Sequence, residues 1–216
     1  MTDAIVRFLQ LYQQRLIVAF ATHFLYVLIS VSIAFVVAVL LAILLSRIRG
    51  LASVLIPLLS VFQTIPGIVF VGILFLYNGM TASTVVIALT IYAVFPILKN
   101  SYVGIIKVDD QYKEAARGCG MSPMQILWKV ELALALPSII SGFRISVVYT
   151  VSWAVIAAMI GMGGLGEIIY SGIMSNNNVM ILGGAIPAAI MAILLSRLID
   201  VARSRLLPRS MRRGIT

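Results

Sequence analysis

The chain has 216 residues, of which 62% are hydrophobic and only 11% are charged, and its mean hydropathy is +1.11. A soluble domain of this size is nearer half apolar and a quarter charged, so the composition argues against a soluble globular protein. The net charge of +9 is compatible with nucleic-acid binding, but in so apolar a chain it must first be tested against membrane topology.

The apolar residues fall into five runs, and each run is long enough to contain a helix that crosses a bilayer. The predicted spans lie within residues 16–45, 51–77, 82–98, 136–160 and 179–199. The second run carries Pro57, Pro66 and Gly67, which permit a kink. The sequence therefore predicts an all-α polytopic membrane protein with about five transmembrane helices.

The distribution of basic residues predicts the orientation of these spans. Thirteen of the sixteen Lys and Arg residues lie between spans one and two, between spans three and four, or at and beyond the end of span five. Only Arg7 and Arg15 lie on the other side, and Arg144 lies inside span four. Because cytoplasmic loops carry the excess of Lys and Arg, we expect the N-terminus outside and the C-terminus in the cytoplasm. Topology explains the basic charge, and no nucleic-acid partner is expected.

The same reading divides the chain, treated as a single transmembrane domain over 1–216, into five parts. They are an external segment at 1–15, which forms an amphipathic surface helix or an ordered tail, spans one to three at 16–98, a cytoplasmic loop at 99–131, spans four and five at 132–200, and a basic cytoplasmic tail at 201–216.

The residues that enzymes and metal sites require are scarce. There is one cysteine, Cys119, one histidine, His23, and seven acidic residues scattered along the chain. They form no pattern typical of a catalytic or metal site, so we expect neither an enzyme nor a metal or cofactor bound by this chain. A stand-alone carrier would need intramembrane ionisable residues or inverted repeats, and Arg144 alone supplies neither.

A glycine-rich stretch, IGMGGLGE at residues 160–167, contains the pattern G-x-G-x-x-G. A dinucleotide site needs a strand before this pattern, whereas here a membrane helix precedes it. We therefore expect a backbone role, in which the glycines adopt positive φ and let the chain turn sharply at the outer surface. A short apolar segment follows and ends at the polar run Asn176-Asn177-Asn178.

The loop at 99–131 has the strongest local signals. Asp109 or Asp110 can cap a short helix, and Gly118 or Gly120 can end it. Ser122, followed by Pro123 and then Gln125, has the pattern of a capping box. The sequence predicts two short helices joined at glycine.

Within this loop, EAARGCGMSPMQILWKVELALALP resembles the EAA loop of ABC-importer membrane subunits. The residues that match the family pattern are Glu114, Ala115, Ala116, Gly120, Val130 and Leu132. Ala133 stands where the family has proline, and Pro137 follows four residues later.

The resemblance implies a type I, methionine-importer-like permease fold in a bacterial cytoplasmic (inner) membrane. In that family the EAA helix sits in a cleft of a cytoplasmic ATPase subunit, so the implied coupling residues are Glu114, Ala115, Ala116, Arg117 and Gly120. The implied partners are two ATPase subunits, which bind ATP and Mg²⁺, a second permease chain, identical or similar, and an external substrate-binding protein. The chain itself would be a transporter subunit.

Two further stretches, Gln63-Thr64-Ile65-Pro66 and IGMGGLGEII, resemble the branch that imports glycine betaine, carnitine or choline. Another small solute, such as an amino acid, is the alternative. Aromatic faces attract quaternary ammonium groups, which suits the first reading. The candidate pathway residues are Gln63, Thr64, Pro66, Ser146, Tyr149, Thr150 and Trp153, with ordinary helix packing as the competing interpretation for them.

Arg144 is the one strong charge well inside a span. A charged residue at such a depth needs a partner. A helix C-terminus, a lipid phosphate and a substrate carboxylate are the three that the sequence allows.

Overall fold

The computed structural model describes residues 2–207, and every regular element in that range is helical. The helices are α1 (Thr2–Arg47), α2 (Arg49–Phe62), α3 (Gly67–Asn78), α4 (Ala82–Ile106), α5 (Asp110–Gly118), α6 (Pro123–Ile126), α7 (Leu132–Ala157), α8 (Leu165–Met174) and α9 (Asn178–Leu206). Wider π-helical turns at Leu127–Glu131 and Ala158–Met162 extend α7 at its two ends.

Four helices of the described part are long and apolar enough to cross a bilayer, and the bent pair α2–α3 makes a fifth span when it is counted as one. This agrees with the prediction of about five spans. The short helix α8 is the apolar segment that was expected after the glycine-rich stretch.

Helix α1 departs from its expected length. Its 46 residues would extend for about 69 Å, and residues 2–15 belong to the same continuous helix as the first span. The reason is visible in the sequence, because neither glycine nor proline occurs between Thr2 and Arg47.

The second span is broken where the sequence suggested only a kink. Helix α2 ends at Phe62 and α3 begins at Gly67, and the two helices are bent by 95°. Pro57, by contrast, lies within α2 and does not end that helix.

Helices α1, α4 and α7 form the centre of the bundle through small residues. Ala34, Ala38 and Ala42 lie one helical turn apart on α1 and are fully buried. Between α4 and α7, Gly142 packs so closely that a Cβ there would lie 2.7 Å from the Asn100 Cβ and 2.8 Å from the Pro96 carbonyl oxygen. Small residues at helix contacts are typical of membrane bundles, since hydrocarbon gives no hydrophobic drive for association.

The outward surface carries large apolar side chains, and Leu40, Leu58 and Leu194 are each more than half exposed. This distribution suits a hydrocarbon environment.

His23 is buried between α1 and α7, where its Nε2–H donates a hydrogen bond to the Val151 carbonyl at 3.1 Å. Among the described residues, no three His, Cys, Asp or Glu side chains are grouped so that they could hold a metal ion.

Candidate functional site

The loop between α4 and α7 is an ordered structure built by local capping. The Asp109 carboxylate accepts a hydrogen bond from the Gln111 backbone N–H at 3.1 Å and begins α5. Helix α5 ends at Gly118, and Gly120 then turns the chain with a φ of +78°. A bond from the Met121 N–H to the Ala116 carbonyl, 3.1 Å long, closes this turn. The predicted cap at Asp109 and the glycine turn are both confirmed.

The second half of the loop starts with the predicted capping box. The Ser122 hydroxyl accepts from the Gln125 N–H, and the Gln125 side chain accepts in return from the Ser122 N–H at 2.8 Å. Pro123 occupies the first turn. The helix that begins here does not stop, because it continues through the π-helical turn into α7. The expected second short helix is therefore the lower end of span four.

The helix is continuous through Ala133, the residue that stands where the family pattern has proline. It also continues through Pro137, so the alanine does not by itself account for the continuity. The result is a continuous helix from the loop into the membrane.

Most of the EAA residues present their side chains outward. Glu114, Ala115 and Arg117 are exposed, while Ala116 is buried against the rest of the loop. The exposed set continues with three large side chains, Tyr112, Met124 and Trp128, each more than half exposed. We call these six exposed residues the coupling surface; they combine charge, a small residue and apolar area.

One contact of this loop was not predicted. Glu131, the last residue of the π-helical turn, is only 3% exposed, and its carboxylate accepts from both terminal nitrogens of Arg47, with Nη1 to Oε1 at 3.1 Å. The two residues are 84 positions apart, so no local pattern relates them. The signal in the sequence was an acid at the end of the loop and two arginines, Arg47 and Arg49, after the first apolar run.

The break in span two is stabilised by hydrogen bonds to α4. The Gln63 amide donates to the Tyr92 carbonyl at 2.9 Å, and the Tyr92 hydroxyl donates to the Ile65 carbonyl at 2.8 Å. The Thr64 hydroxyl donates back to the Val61 carbonyl. Pro66 then precedes the first residue of α3. The predicted residues Gln63, Thr64 and Pro66 therefore form the turn itself.

An aromatic cluster lines the inner side of this break. Tyr92 stacks on Trp153 with ring centroids 4.6 Å apart, and Phe62 and Phe70 contact Tyr92 at 5.9 and 5.3 Å. Gly67 lies directly against the indole, because a Cβ at this position would be 1.7 Å from Trp153 Cζ3. The fold thus brings Trp153 of span four to the break in span two. Tyr92 was missed, since nothing in its neighbouring sequence separates it from an ordinary core aromatic.

The remaining candidates on α7 divide into two kinds. Ser146 and Thr150 are buried, with hydroxyls that donate to the Ala93 and Ser146 carbonyls at 2.7 Å each. Tyr149 is 54% exposed and lines the groove between α7 and α9. Helix packing accounts for the two hydroxyls, and a role in the pathway stays a prediction for all of them.

Arg144 has the partner that the sequence argument required. Its Nε lies 3.0 Å from Oδ1 of Asp200 on α9, and both side chains remain partly exposed. Tyr149, Ser196 and Arg197 line the same groove between α7 and α9. The sequence had suggested a helix C-terminus, a lipid phosphate or a substrate carboxylate as the partner, and not Asp200, although Asp200 is the sole acidic residue in the last 49 positions.

The glycine-rich stretch forms the turn at the opposite end of the bundle. Gly161, Gly163 and Gly164 all have positive φ, between 77° and 90°, as predicted. Gly166 has a different role, because a Cβ there would lie 1.9 Å from the Val155 carbonyl oxygen. The motif therefore serves the backbone, by allowing positive φ and close packing. It follows a helix, whereas a dinucleotide-binding turn follows a strand.

Ion pairs attach both ends of the bundle to α1. Arg15 contacts Glu167 beyond the glycine turn at 2.8 Å, and Arg47 contacts Glu131 beside the coupling surface. The 32 residues between Arg15 and Arg47 correspond to about 48 Å of helix, which exceeds the thickness of the hydrocarbon core. The glycine turn and the coupling surface thus lie at opposite ends of the molecule.

An all-helical bundle with an ordered, outward-facing EAA loop defines an importer permease. Residues 34–212 match the family described as "Binding-protein-dependent transport system inner membrane component". The chain belongs to this family. Membership confirms the resemblance drawn from the EAA loop, and with it the prediction of a transporter subunit instead of an enzyme.

Curated relatives match along nearly the whole chain. The carnitine transport permease protein OpuCB of Listeria monocytogenes is 37% identical over 97% of this chain and 96% of its own length. The choline transport system permease protein OpuBB of Bacillus subtilis (strain 168) is 36% identical over the same shares. The names of these relatives agree with the branch that the motifs in span two and after span four indicated.

Solved structures with the same fold include the MetNI methionine ABC transporter, with a TM-score of 0.74, 22% identity and coverage of 90% of this chain and 95% of that one. An amino acid ABC transporter gives a TM-score of 0.68 at 22% identity, covering 94% and 97%. At such identities the likeness concerns the fold alone, and it confirms the predicted methionine-importer-like permease fold.

Proposed function

We propose that this chain is the permease subunit of an importer for a quaternary ammonium osmoprotectant, such as glycine betaine, carnitine or choline. The names of the relatives support this solute class. The aromatic cluster at the break in span two would suit such a solute if the stacked rings of Tyr92 and Trp153 separate during transport, since aromatic faces attract quaternary ammonium cations. An importer for another small solute, such as an amino acid, is the alternative.

The coupling surface is the observation that carries the mechanism. Glu114, Ala115, Ala116 and Arg117 belong to a short helix, α5, and Gly120 forms the turn that follows it. All but the buried Ala116 face away from the bundle. In the proposed mechanism this helix docks into a cytoplasmic ATPase subunit, where Ala115 permits close approach and Glu114 and Arg117 make directional contacts. Closure of the ATPases then moves α7, because the helical rod from Pro123 continues into the membrane.

The proposed assembly contains two such permease chains, identical or similar, two ATPase subunits and an external binding protein. ATP and Mg²⁺ bind to the ATPases, and this chain binds neither. The pathway runs beside Gln63, Thr64, Pro66 and Trp153 at the break and along α7 past Ser146, Tyr149 and Thr150, with Arg144 nearby.

The proposed location is a bacterial inner membrane, with the glycine turn outside and the coupling surface in the cytoplasm. The single cysteine, Cys119, is exposed in the coupling loop and offers a direct test without engineering. A membrane-impermeant maleimide should label inverted vesicles and leave intact spheroplasts unlabelled. Labelling of the spheroplasts would contradict the orientation.

The function is tested by reconstituting the permease with its ATPase and binding protein in proteoliposomes. ATP-driven uptake of glycine betaine, carnitine and choline is compared with uptake of amino acids. Uptake of amino acids alone would favour the alternative solute, and uptake without the ATPase would contradict the importer mechanism.

The role of the coupling surface is tested with Glu114→Lys, which should abolish ATPase association or solute-stimulated hydrolysis. Asp110→Lys makes the same charge change in the same helix at an 84% exposed side chain, and it also breaks the pair with Lys113. It is the control for charge and helix stability, and a loss of coupling in both variants would not be assigned to Glu114. Full coupled uptake by Glu114→Lys would contradict the proposal.

A further inference from the structure

The pair Arg47–Glu131 is an unusual contact for a surface loop. The carboxylate is almost fully buried and takes both terminal nitrogens of the guanidinium, while the Arg47 side chain remains about half exposed. A bidentate pair of this kind restricts direction as well as distance. A buried carboxylate that loses its only charged partner is strongly disfavoured, so the two residues are expected to move together.

The two residues occupy junctions of the fold. Arg47 ends α1, and a single non-helical residue, Ile48, separates it from α2, which leads to the broken span. Glu131 ends the π-helical turn between α6 and α7, and this turn packs against α5. The pair therefore joins the coupling loop to the hinge between the first and second spans.

The continuous helix from the coupling loop can transmit motion directly only to α7. Motion of α5 enters α7 through the helix that starts at Pro123, but Arg47, at the end of α1, precedes Glu131 by 84 residues. Among the described residues near the coupling loop, the pair Arg47–Glu131 is an ion pair that reaches α1. π-Helical turns are common at functional positions, and this one contains the carboxylate.

We propose that Arg47 and Glu131 are positioning residues that carry displacement of the coupling loop to the α1–α2 hinge. The inference rests on the proposed function, in which the ATPases move α5. It adds that the broken second span, with Gln63 and the aromatic cluster beyond it, follows the loop through this pair. Without the pair, ATP hydrolysis would move α7 alone.

The experiment uses the complete importer in proteoliposomes and measures solute transported per ATP hydrolysed. Glu131→Gln keeps the shape and one hydrogen-bond acceptor but removes the charge. We expect the complex to assemble and hydrolyse ATP, with transport per ATP reduced about tenfold, the size typical of a lost coupling contact. Arg47→Lys, which keeps the charge and loses the bidentate geometry, should be intermediate.

The matched control is Arg15→Gln, which breaks the other ion pair of α1, at the end far from the loop. It should leave transport per ATP unchanged. Equal losses in the control and in Glu131→Gln would overturn the proposal, as would a normal ratio in Glu131→Gln. If Glu131→Gln instead lost assembly, melting temperature and uptake in parallel, the pair would be a structural contact only.

A second measurement avoids reliance on turnover. Spin labels at the native Cys119 and at Val54→Cys, an exposed position on α2, report the distance between loop and second span. With the pair intact, this distance should be the same before and after ATP binding. In Glu131→Gln, ATP binding should change this distance between the labels. A change of the distance on ATP binding while Arg47 and Glu131 are both unaltered would contradict the inference. Failure of the unmodified importer to transport any quaternary ammonium solute would count against the proposed function and not against this link.

Discussion

Trp153 of α7 stacks on Tyr92 of α4 with 25° between the ring planes, and Gly67 of α3 lies against the same indole. Three separate helices thus meet at one aromatic ring beside the break in the second span. The contact joins the helix that receives the coupling loop to the half-helix that follows the break. Its geometry leads to the first two predictions.

Substitution of Gly67 by alanine should displace the indole, because the new Cβ would occupy space now filled by Trp153 Cζ3. We expect a loss of about 1–3 kcal/mol in the free energy of unfolding and reduced uptake. Gly72→Ala on the same helix is the control, since nothing lies within 4 Å of a Cβ there. Thermal denaturation of the purified complex measures the difference, and equal melting temperatures for the two variants would contradict the close packing.

Replacing an aromatic ring of this cluster should weaken handling of a quaternary ammonium solute. Trp153→Leu should slow uptake about 3- to 30-fold at saturating binding protein, the range expected for loss of a cation–π contact. Phe35→Leu breaks another aromatic pair of the bundle, Phe35–Phe143 at 5.2 Å, and should leave uptake unchanged once the amount of folded protein is matched. An unchanged rate in Trp153→Leu would remove the cluster from the pathway.

The ion pair Arg144–Asp200 should show strong energetic coupling, because its charges lie in helices that cross the membrane. Arg144→Gln and Asp200→Asn should each be destabilising, and the double variant should be closer to the parent than the sum of the two. A double-mutant cycle should give about 0.5–3 kcal/mol of interaction. Arg197→Gln, in the same groove and one turn from Asp200, serves as the control. Strict additivity would show that the pair contributes nothing.

The contact between α4 and α7 should not tolerate a side chain at Gly142. Gly142→Ala brings its Cβ within 3 Å of the Pro96 carbonyl oxygen, and backbone atoms cannot rotate away. We expect the two helices to separate, with a loss of about 1–3 kcal/mol and a lower melting temperature. Gly118→Ala, at an open position that ends α5, should be neutral or slightly stabilising in the same measurement.

Structural features that depend on a few neighbouring residues were predicted correctly. The caps at Asp109 and Ser122, the positive φ of Gly120 and the glycine turn before α8 each depend on a few neighbouring residues. The same is true of the apolar runs, since a bilayer requires about 20 consecutive apolar residues regardless of the rest of the chain. The EAA loop was recognised for this reason, because its spacing is local.

Features that depend on distant pairs were not predicted. Arg47 and Glu131 are 84 residues apart, Arg15 and Glu167 are 152 apart, and Asp200 meets Arg144 from another helix. Ser146 and Thr150 had the polarity expected of pathway residues, yet the fold directs both hydroxyls to backbone carbonyls inside the bundle.

The sequence by itself determined that this chain spans a membrane, where the short helices of its coupling loop are capped, and which loop carries the EAA pattern, because hydropathy and capping depend on neighbouring residues. The tertiary structure alone decided how the second span breaks, which charges pair, and that Trp153 meets Tyr92 and Gly67. Those outcomes depend on how close the small residues of α1, α4 and α7 allow the helices to approach, and no single segment contains that information.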